Sequence, residues 1–250
     1  MIGRFRYDNE VLEGVVRGER VIVERGLYCD TFVLSELEIL PPTIPSKIIC
    51  VGLNYTDHAR ELNMDIPKKP LIFLKPPSSV IGHLGKIVYP GIAERVDYEA
   101  ELAVVVGKRC KNVPSRDASS VIMGYTCFND VTARDIQKED GQWTRAKSFD
   151  TFAPYGPFII DPGLDASDLY IRTRVNGKVR QNSRTSNLIF GVPELIEFIS
   201  GIMTLEAGDI IATGTPPGVG ELSAGDEVEI EIEGIGMLKN SVVSERDQIK

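Results

Sequence analysis

The segment RVDYEAELAVVVGK, residues 95–108, sets acids at Asp97, Glu99 and Glu101 ahead of a run of apolar residues. Read as one strand, whose side chains alternate between faces, it puts these three carboxylates on one side and Tyr98, Ala100 and Leu102 on the other. Two ionised carboxylates one pleat repeat apart repel, and a proton or a cation must relieve them. A solvated strand edge is the plain alternative for an isolated Glu-x-Glu pair. A third acid lies in NDVTARDIQ, where a helix would carry Asp130, Arg134 and Gln137 on one face at i, i+4 and i+7. Asp130 could equally be that helix's N-cap. If Asp130 meets Glu99 and Glu101, the donor set is all oxygen. That suits a hard divalent cation such as Mg²⁺, which keeps waters for a substrate to displace, whereas zinc would want nitrogen or sulfur.

Proton transfer has few candidates, because the chain holds only two histidines. In TDHARELN a helix places His58 and Glu61 at i and i+3, and a carboxylate beside an imidazole fixes its tautomer and favours its charged form. Such a pair is common on surfaces, but the other histidine, His83 in VIGHLGK, has no carboxylate near it in sequence. Lys147 in WTRAKSFDTFAP is flanked by a small residue and aromatics; it fits either a cleft or an exposed lysine whose stem lies along apolar surface. TGTPPGVG, residues 213–220, lacks the GK[ST] of a phosphate loop and the spacing of a dinucleotide fingerprint, so it reads as a tight substrate-lining loop or a plain turn.

These groups must be positioned by short strands. VLEGVVRG and ERVIVERG with their Gly turns read as a small N-terminal β unit, residues 1–42, ending at the PPTIP break; residues 43–250 form the larger part. There SKIICVG, SVIMGYTCFN, APYGPFII, DIIATG and DEVEIEIEGIGMLKNSVV read as strands, and LYIRTRVNGKVRQ as a hairpin turning at Asn176-Gly177. Helices are expected in LNYTDHARELN, with Asn54 or Thr56 as cap, in DVTARDIQKED, and in the amphipathic VPELIEFISGIM. Strands outnumber helices and do not alternate with them, which predicts a mainly β fold with a few helices rather than a doubly wound parallel sheet.

Composition narrows the function. With 28 basic against 36 acidic residues the net charge is -8, and no Lys/Arg run offers a track for phosphates, so nucleic acid is not an expected partner. No apolar stretch approaches the roughly 18 residues of a membrane span, and MIGRFRYDNE lacks a signal core, so a cytoplasmic protein is expected. Cys29, Cys50, Cys110 and Cys127 stand singly, without metal-site spacing.

Taken in order, VGLNYTDHARELN, PLIFLKPPSSVIG, VDYEAELAVVVGK, GYTCFNDVTARDIQ, WTRAKSFDTFAPYGPFI and IIATGTPPGVG resemble the fumarylacetoacetate hydrolase family from about residue 47 to the C-terminus. The resemblance implies a mixed β-sandwich roll in which Glu99, Glu101 and Asp130 hold Mg²⁺ or Mn²⁺. It implies that His58 and Glu61 are a catalytic lid pair, that Lys147 is a catalytic lysine near the metal, and that Arg134, Gln137, Lys75 and Thr215 surround the substrate. Larger members carry a further aspartate ligand where this chain has Asn54, so the resemblance is to the smaller type. Those members act on 2-oxo acids through a stabilised enolate, as acylpyruvate hydrolases, oxaloacetate decarboxylases, or isomerases of hydroxymuconate or hydroxyheptadienedioate. Hydrolysis of a carbon-carbon bond of an acylpyruvate by a homodimer is the leading expectation, with isomerase or decarboxylase as the alternatives.

Overall fold

The computed structural model describes residues 1–247. Its order follows from where the apolar residues go. In the strand Ala100–Val106 every residue is buried, because both faces are covered. Leu102, Val104 and Val106 enter a core with Ile171, Ile230 and Leu238, while Ala103 and Val105 enter another with Ile48, Cys50, Phe128 and Ile210.

Among the described residues this strand lies inside a 12-stranded sheet. It pairs antiparallel with Ile122–Asn129 on one side and Ile210–Ala212 on the other; the sheet then continues through Ile48–Val51 to the edge strand Ile72–Lys75. A five-stranded sheet, in the order Lys178–Arg184, Tyr170–Val175, Glu227–Ile232, Gly236–Ser244 and Lys86–Tyr89, packs across the larger core. The helix Val192–Ile202 sets Leu195, Ile196 and Ile199 onto the same core at helical spacing. Val96–Tyr98 joins a separate three-stranded sheet with Thr132–Ala133 and Gly220–Leu222. The hairpin turn at Asn176-Gly177 forms as the sequence requires, with φ of 51° and 74°.

The N-terminal strands Ile2–Tyr7, Glu10–Arg17, Arg20–Arg25 and Tyr28–Val33 form a meander that extends the large sheet through Ile2 opposite Ile159. They enclose a small core of their own around Phe5, Leu12, Val21 and Leu37, with Phe158 packed against it.

Three local readings are corrected. The acidic segment is not one strand: it breaks at Glu99, between Val96–Tyr98 in one sheet and Ala100–Val106 in another. Asp97 therefore leaves the acid row and binds Arg95 and Arg134. The helix expected from Asp130 begins only at Arg134, after the short strand Thr132–Ala133, so Asp130 is a turn residue rather than a cap. Tyr55, not Asn54 or Thr56, stands at the N-cap of the helix Thr56–Glu61.

The parallel pairing of Ile48–Val51 with Ile210–Ala212 has no hairpin to set its register. Asp209, fully buried, does this work: its carboxylate accepts from the backbone N–H groups of Ser46 and Lys47 at 2.9 and 3.1 Å and of Glu206 at 2.8 Å, and pairs with the Lys47 ammonium. Burial alone would raise its pKa, but the Lys47 ammonium and these N–H groups hold it below 3.8. A depressed carboxylate stabilises the fold above its unfolded pKa and loses that contribution as the pH falls through the folded value. Asp209→Asn is expected to cost about 2–3 kcal/mol at pH 7 in urea denaturation, with the gap from wild type narrowing as the pH falls through the folded-state pKa.

Candidate active site

Pairing of Ala100 with Asn129 and of Glu101 with Phe128 brings the start of one buried strand beside the end of another. Glu99 lies just before the first and Asp130 just after the second. Their backbones are tied together: Asn129 Oδ1 accepts from Glu99 N at 3.0 Å, and Glu99 O accepts from Asp130 N at 2.8 Å. One carboxylate oxygen each from Glu99, Glu101 and Asp130 then lies within 4.8 Å of the others, with all three residues buried.

So much buried negative charge needs compensation. The Lys147 ammonium bridges Glu99 Oε2 at 2.9 Å and Asp130 Oδ2 at 2.7 Å, above the Phe73 ring at 5.0 Å from its centroid. Lys75, 1% exposed, donates to Asp130 Oδ1 at 2.5 Å and to the Val131 carbonyl at 3.0 Å. Arg134 donates through Nη2 to Glu99, through Nε to Asp97 at 2.9 Å and through Nη1 to Gln137 at 2.6 Å. Burial would raise Glu99, yet Lys147 and Arg134 hold it down to about 2. Burial would lower Lys147, but Asp130 and Glu99 raise it, so the ammonium stays charged.

Glu101 is the exception. It accepts one hydrogen bond, from Gly214 N at 2.8 Å. Burial first, then the charges of Asp130 and Glu99, push its pKa well up. Three oxygen donors, one of them undercompensated, fit a hard divalent cation, whose charge would reverse that shift.

Across from the acids stands the second part of the site. His58 Nδ1 is 2.8 Å from Glu61 Oε2, and Glu61 Oε1 accepts from Gly218 N at 3.1 Å. The short helix carrying them is held at its start by Asp57, which accepts from Ser183 Oγ at 2.5 Å. A cavity of about 320 Å³ lies between, lined by the three acids and by His58, Arg134, Gln137, Lys147 and Thr215. Phe73 and Trp143, packed edge to face at 5.1 Å, close one wall. Two expected residues act at one remove: Glu61 sits behind His58, and Lys75, at the end of the edge strand rather than in a loop, reaches only Asp130 and Val131. A larger groove of about 860 Å³ lies away from the acids, between the N-terminal hairpins and the Val80–Gly85 turn.

Sequence reasoning passed over Lys138, Phe73, Trp143 and Gln181, and placed Asp97 in the acid row rather than beside Arg134. Asp97, fixed by Arg95 at 2.7 Å, orients Arg134 on Glu99, a contact made only because the chain breaks at Glu99. Nothing in the spacing of Gln181, on a hairpin strand remote in sequence, marks it. Asn54 is buried and its amide is fully engaged, donating to the carbonyls of Phe190 and Thr213 at 3.1 and 2.7 Å and accepting from Phe190 N at 2.8 Å. An aspartate there could not make the two donations.

The β scaffold thus brings a buried, lysine-bridged group of three carboxylates and a histidine-carboxylate pair to one cavity. The chain belongs to the fumarylacetoacetate hydrolase family: the family model described as "Fumarylacetoacetate (FAA) hydrolase C-terminal" matches residues 47–243. It is 43% identical over 249 residues to the oxaloacetate tautomerase FAHD2A, mitochondrial, of Bos taurus, covering 93% of this chain and 79% of that one. Among solved structures, that of 5-carboxymethyl-2-hydroxymuconate delta-isomerase from Mycobacterium smegmatis matches with a TM-score of 0.91 at 45% identity, covering 98% of both chains. A maleylpyruvate hydrolase from Sphingobium sp. SYK-6, solved with manganese(II) and pyruvate, matches with a TM-score of 0.83 at 28% identity, covering 97% of this chain and 98% of that one. No helix among the described residues is long and apolar enough to cross a membrane.

A ligand of the folded state alone raises its stability by mass action, by about 2.7 kcal/mol at a hundred times its Kd. Mn²⁺ is therefore expected to raise the melting temperature of the wild-type protein. Glu101→Gln is expected to abolish that rise while leaving the metal-free protein as stable or more so, since it removes a carboxylate whose ionisation the fold opposes. A metal-free Glu101→Gln protein markedly less stable than wild type would contradict this electrostatic account.

Proposed function

We propose that the protein is a divalent-metal-dependent enzyme that moves a proton within a 2-oxo acid, a keto-enol tautomerase or isomerase. The observation that carries this reading is the His58-Glu61 pair facing three convergent carboxylates across one small cavity. Glu99, Glu101 and Asp130 would hold Mg²⁺ or Mn²⁺, which when bound supplies Lewis-acid stabilisation of charge developing on the 2-oxo oxygen.

The chain's own residues do the rest. With Nδ1 engaged by Glu61, Nε2 is the His58 nitrogen left to exchange a proton with the carbon next to the 2-oxo group. Glu61 stabilises the imidazolium formed when that proton is taken. Arg134 and Gln137, already locked to each other, orient the substrate carboxylate, and Lys147 adds fixed positive charge beside the reacting oxygen. Phe73 and Trp143 keep one wall dry. Lys138 lines both this cavity and an adjoining one of about 290 Å³, with no acidic partner among the described residues, which favours a substrate with a second carboxylate. The 2-oxo diacid oxaloacetate, on which the Bos taurus relative acts by name, has this form.

Hydrolysis of an acylpyruvate is the second reading, favoured by the manganese- and pyruvate-bound hydrolase structure. There the same His58-Glu61 pair would activate a water, with carbon-carbon cleavage in place of proton return. A homodimer, as the resemblance implies, goes with either reading.

With Mg²⁺ and enol oxaloacetate, absorbance should relax to the keto level faster than in buffer while total oxaloacetate stays constant. Release of pyruvate from an acylpyruvate would instead select hydrolysis, and carbon dioxide release would select decarboxylation. His58→Ala is expected to slow turnover by about 10²–10⁴, or about 3–5 kcal/mol, with Mn²⁺ affinity unchanged. Equal rates in mutant and wild type would remove His58 from the mechanism. Lys138→Ala is expected to raise KM for a diacid several-fold more than for a monoacid, as paired steady-state measurements would show.

A further inference from the structure

The strand Lys178–Arg184 is an edge strand of the five-stranded sheet, and only Gln181 and Ser183 among its residues turn inward. Inward positions of a strand packed on a core are normally apolar. Here both are polar, and both reach out of the sheet to the candidate site. Ser183 holds Asp57, next to His58. Gln181, with no exposed surface, uses its whole amide. Its Oε1 accepts from Ala100 N at 3.0 Å and from Thr173 Oγ1 at 2.7 Å, while its Nε2 donates to Thr215 Oγ1 and to the Pro216 carbonyl, each at 2.8 Å.

Ala100 is the residue between Glu99 and Glu101. Its N–H marks where the chain leaves one sheet and enters another. Thr215 and Pro216 follow Gly214, whose N–H binds Glu101. One side chain thus ties the backbone of the two glutamates to the loop that orients the second of them. The loop has no slack against this strand: a Cβ on Gly218 would lie 2.4 Å from the Arg180 carbonyl oxygen, and its φ is +91°.

We propose that Gln181 is a positioning residue of the site: it sets the separation of Glu99 and Glu101 on which cation binding depends, without touching cation or substrate. This rests on the metal-site reading above. Groups that orient ligands in this way are typically worth about 10–100-fold in metal affinity.

The test is direct Mn²⁺ titration, by electron paramagnetic resonance of the free ion, on wild type, Gln181→Met and Ser200→Ala. Ser200 is a buried, hydrogen-bonded residue of the helix Val192–Ile202 and serves as the control for general destabilisation. The expected result is at least about tenfold weaker Mn²⁺ binding in Gln181→Met and wild-type binding in Ser200→Ala. Equal binding in wild type and Gln181→Met overturns the proposal, as does equal weakening in both variants. Wild-type protein that binds no Mn²⁺ would remove the metal site itself, and this inference with it. Should Gln181→Met fail to fold, Thr173→Val removes, at nearly constant volume, one of the four hydrogen bonds that hold the amide. It is expected to weaken Mn²⁺ binding by at least about threefold, and unchanged affinity there would sink the idea equally.

Discussion

Three buried carboxylates meeting at one point are the constraint on which the rest of this structure depends. Left alone they would take up protons or pull water inward, because burial and mutual repulsion both oppose ionisation. Lys147, Lys75 and Arg134 offset the negative charge of Glu99 and Asp130 by direct contact, and each cation is itself held by a second group: the Phe73 ring, the Val131 carbonyl, and Asp97 with Gln137. The network is nearly closed. Glu101 alone has no cation in contact, so the electrostatic imbalance is concentrated on one oxygen donor facing a cavity. A site that is rigid but locally undercompensated is what strong selective binding of a small cation requires.

That rigidity has a structural source. Glu101 is the second residue of a strand buried on both faces, whose neighbours Ile122–Asn129 and Ile210–Ala212 bring Asp130 and the Gly214 N–H to the same end of the sheet. The Asp209 clamp fixes the register of the next parallel pair, and with it where the loop after Ala212 emerges. Gly214 is required there: at φ +98° a Cβ would lie 2.8 Å from that of Asn54. The loop turns so tightly that Glu101 can be reached by backbone rather than by a side chain.

The fold class and most strands were legible in the sequence, because two-residue alternation and Gly/Pro punctuation are local signals. So was the acid triad, since motif order fixes which carboxylates meet even where local geometry is misread. The misreadings have one cause. RVDYEAELAVVVGK alternates well enough to be one strand, and NDVTARDIQ is helical enough to start at Asp130. Each is overridden by pairing with a distant partner: Gly220–Leu222 captures Val96–Tyr98, and Val96–Tyr98 in turn captures Thr132–Ala133. Gln181 was invisible for the same reason, its importance lying in contacts 81 and 34 residues away.

The two parts of the site differ in how firmly they are held. Glu101 lies within, and Glu99 and Asp130 at the ends of, two paired strands buried in the interior, so their carboxylates are fixed by the sheet itself. His58 and Glu61 sit on a helix of six residues, too short to be stable by itself, with Glu61 43% exposed at the side chain. That helix keeps its place through Asp57 on Ser183 and Glu61 on Gly218, two contacts that converge on the strand Lys178–Arg184 and the loop pressed against it. The strand Lys178–Arg184 therefore serves both parts at once: Ser183 holds the helix through Asp57, and Gln181 holds Ala100 between the two glutamates.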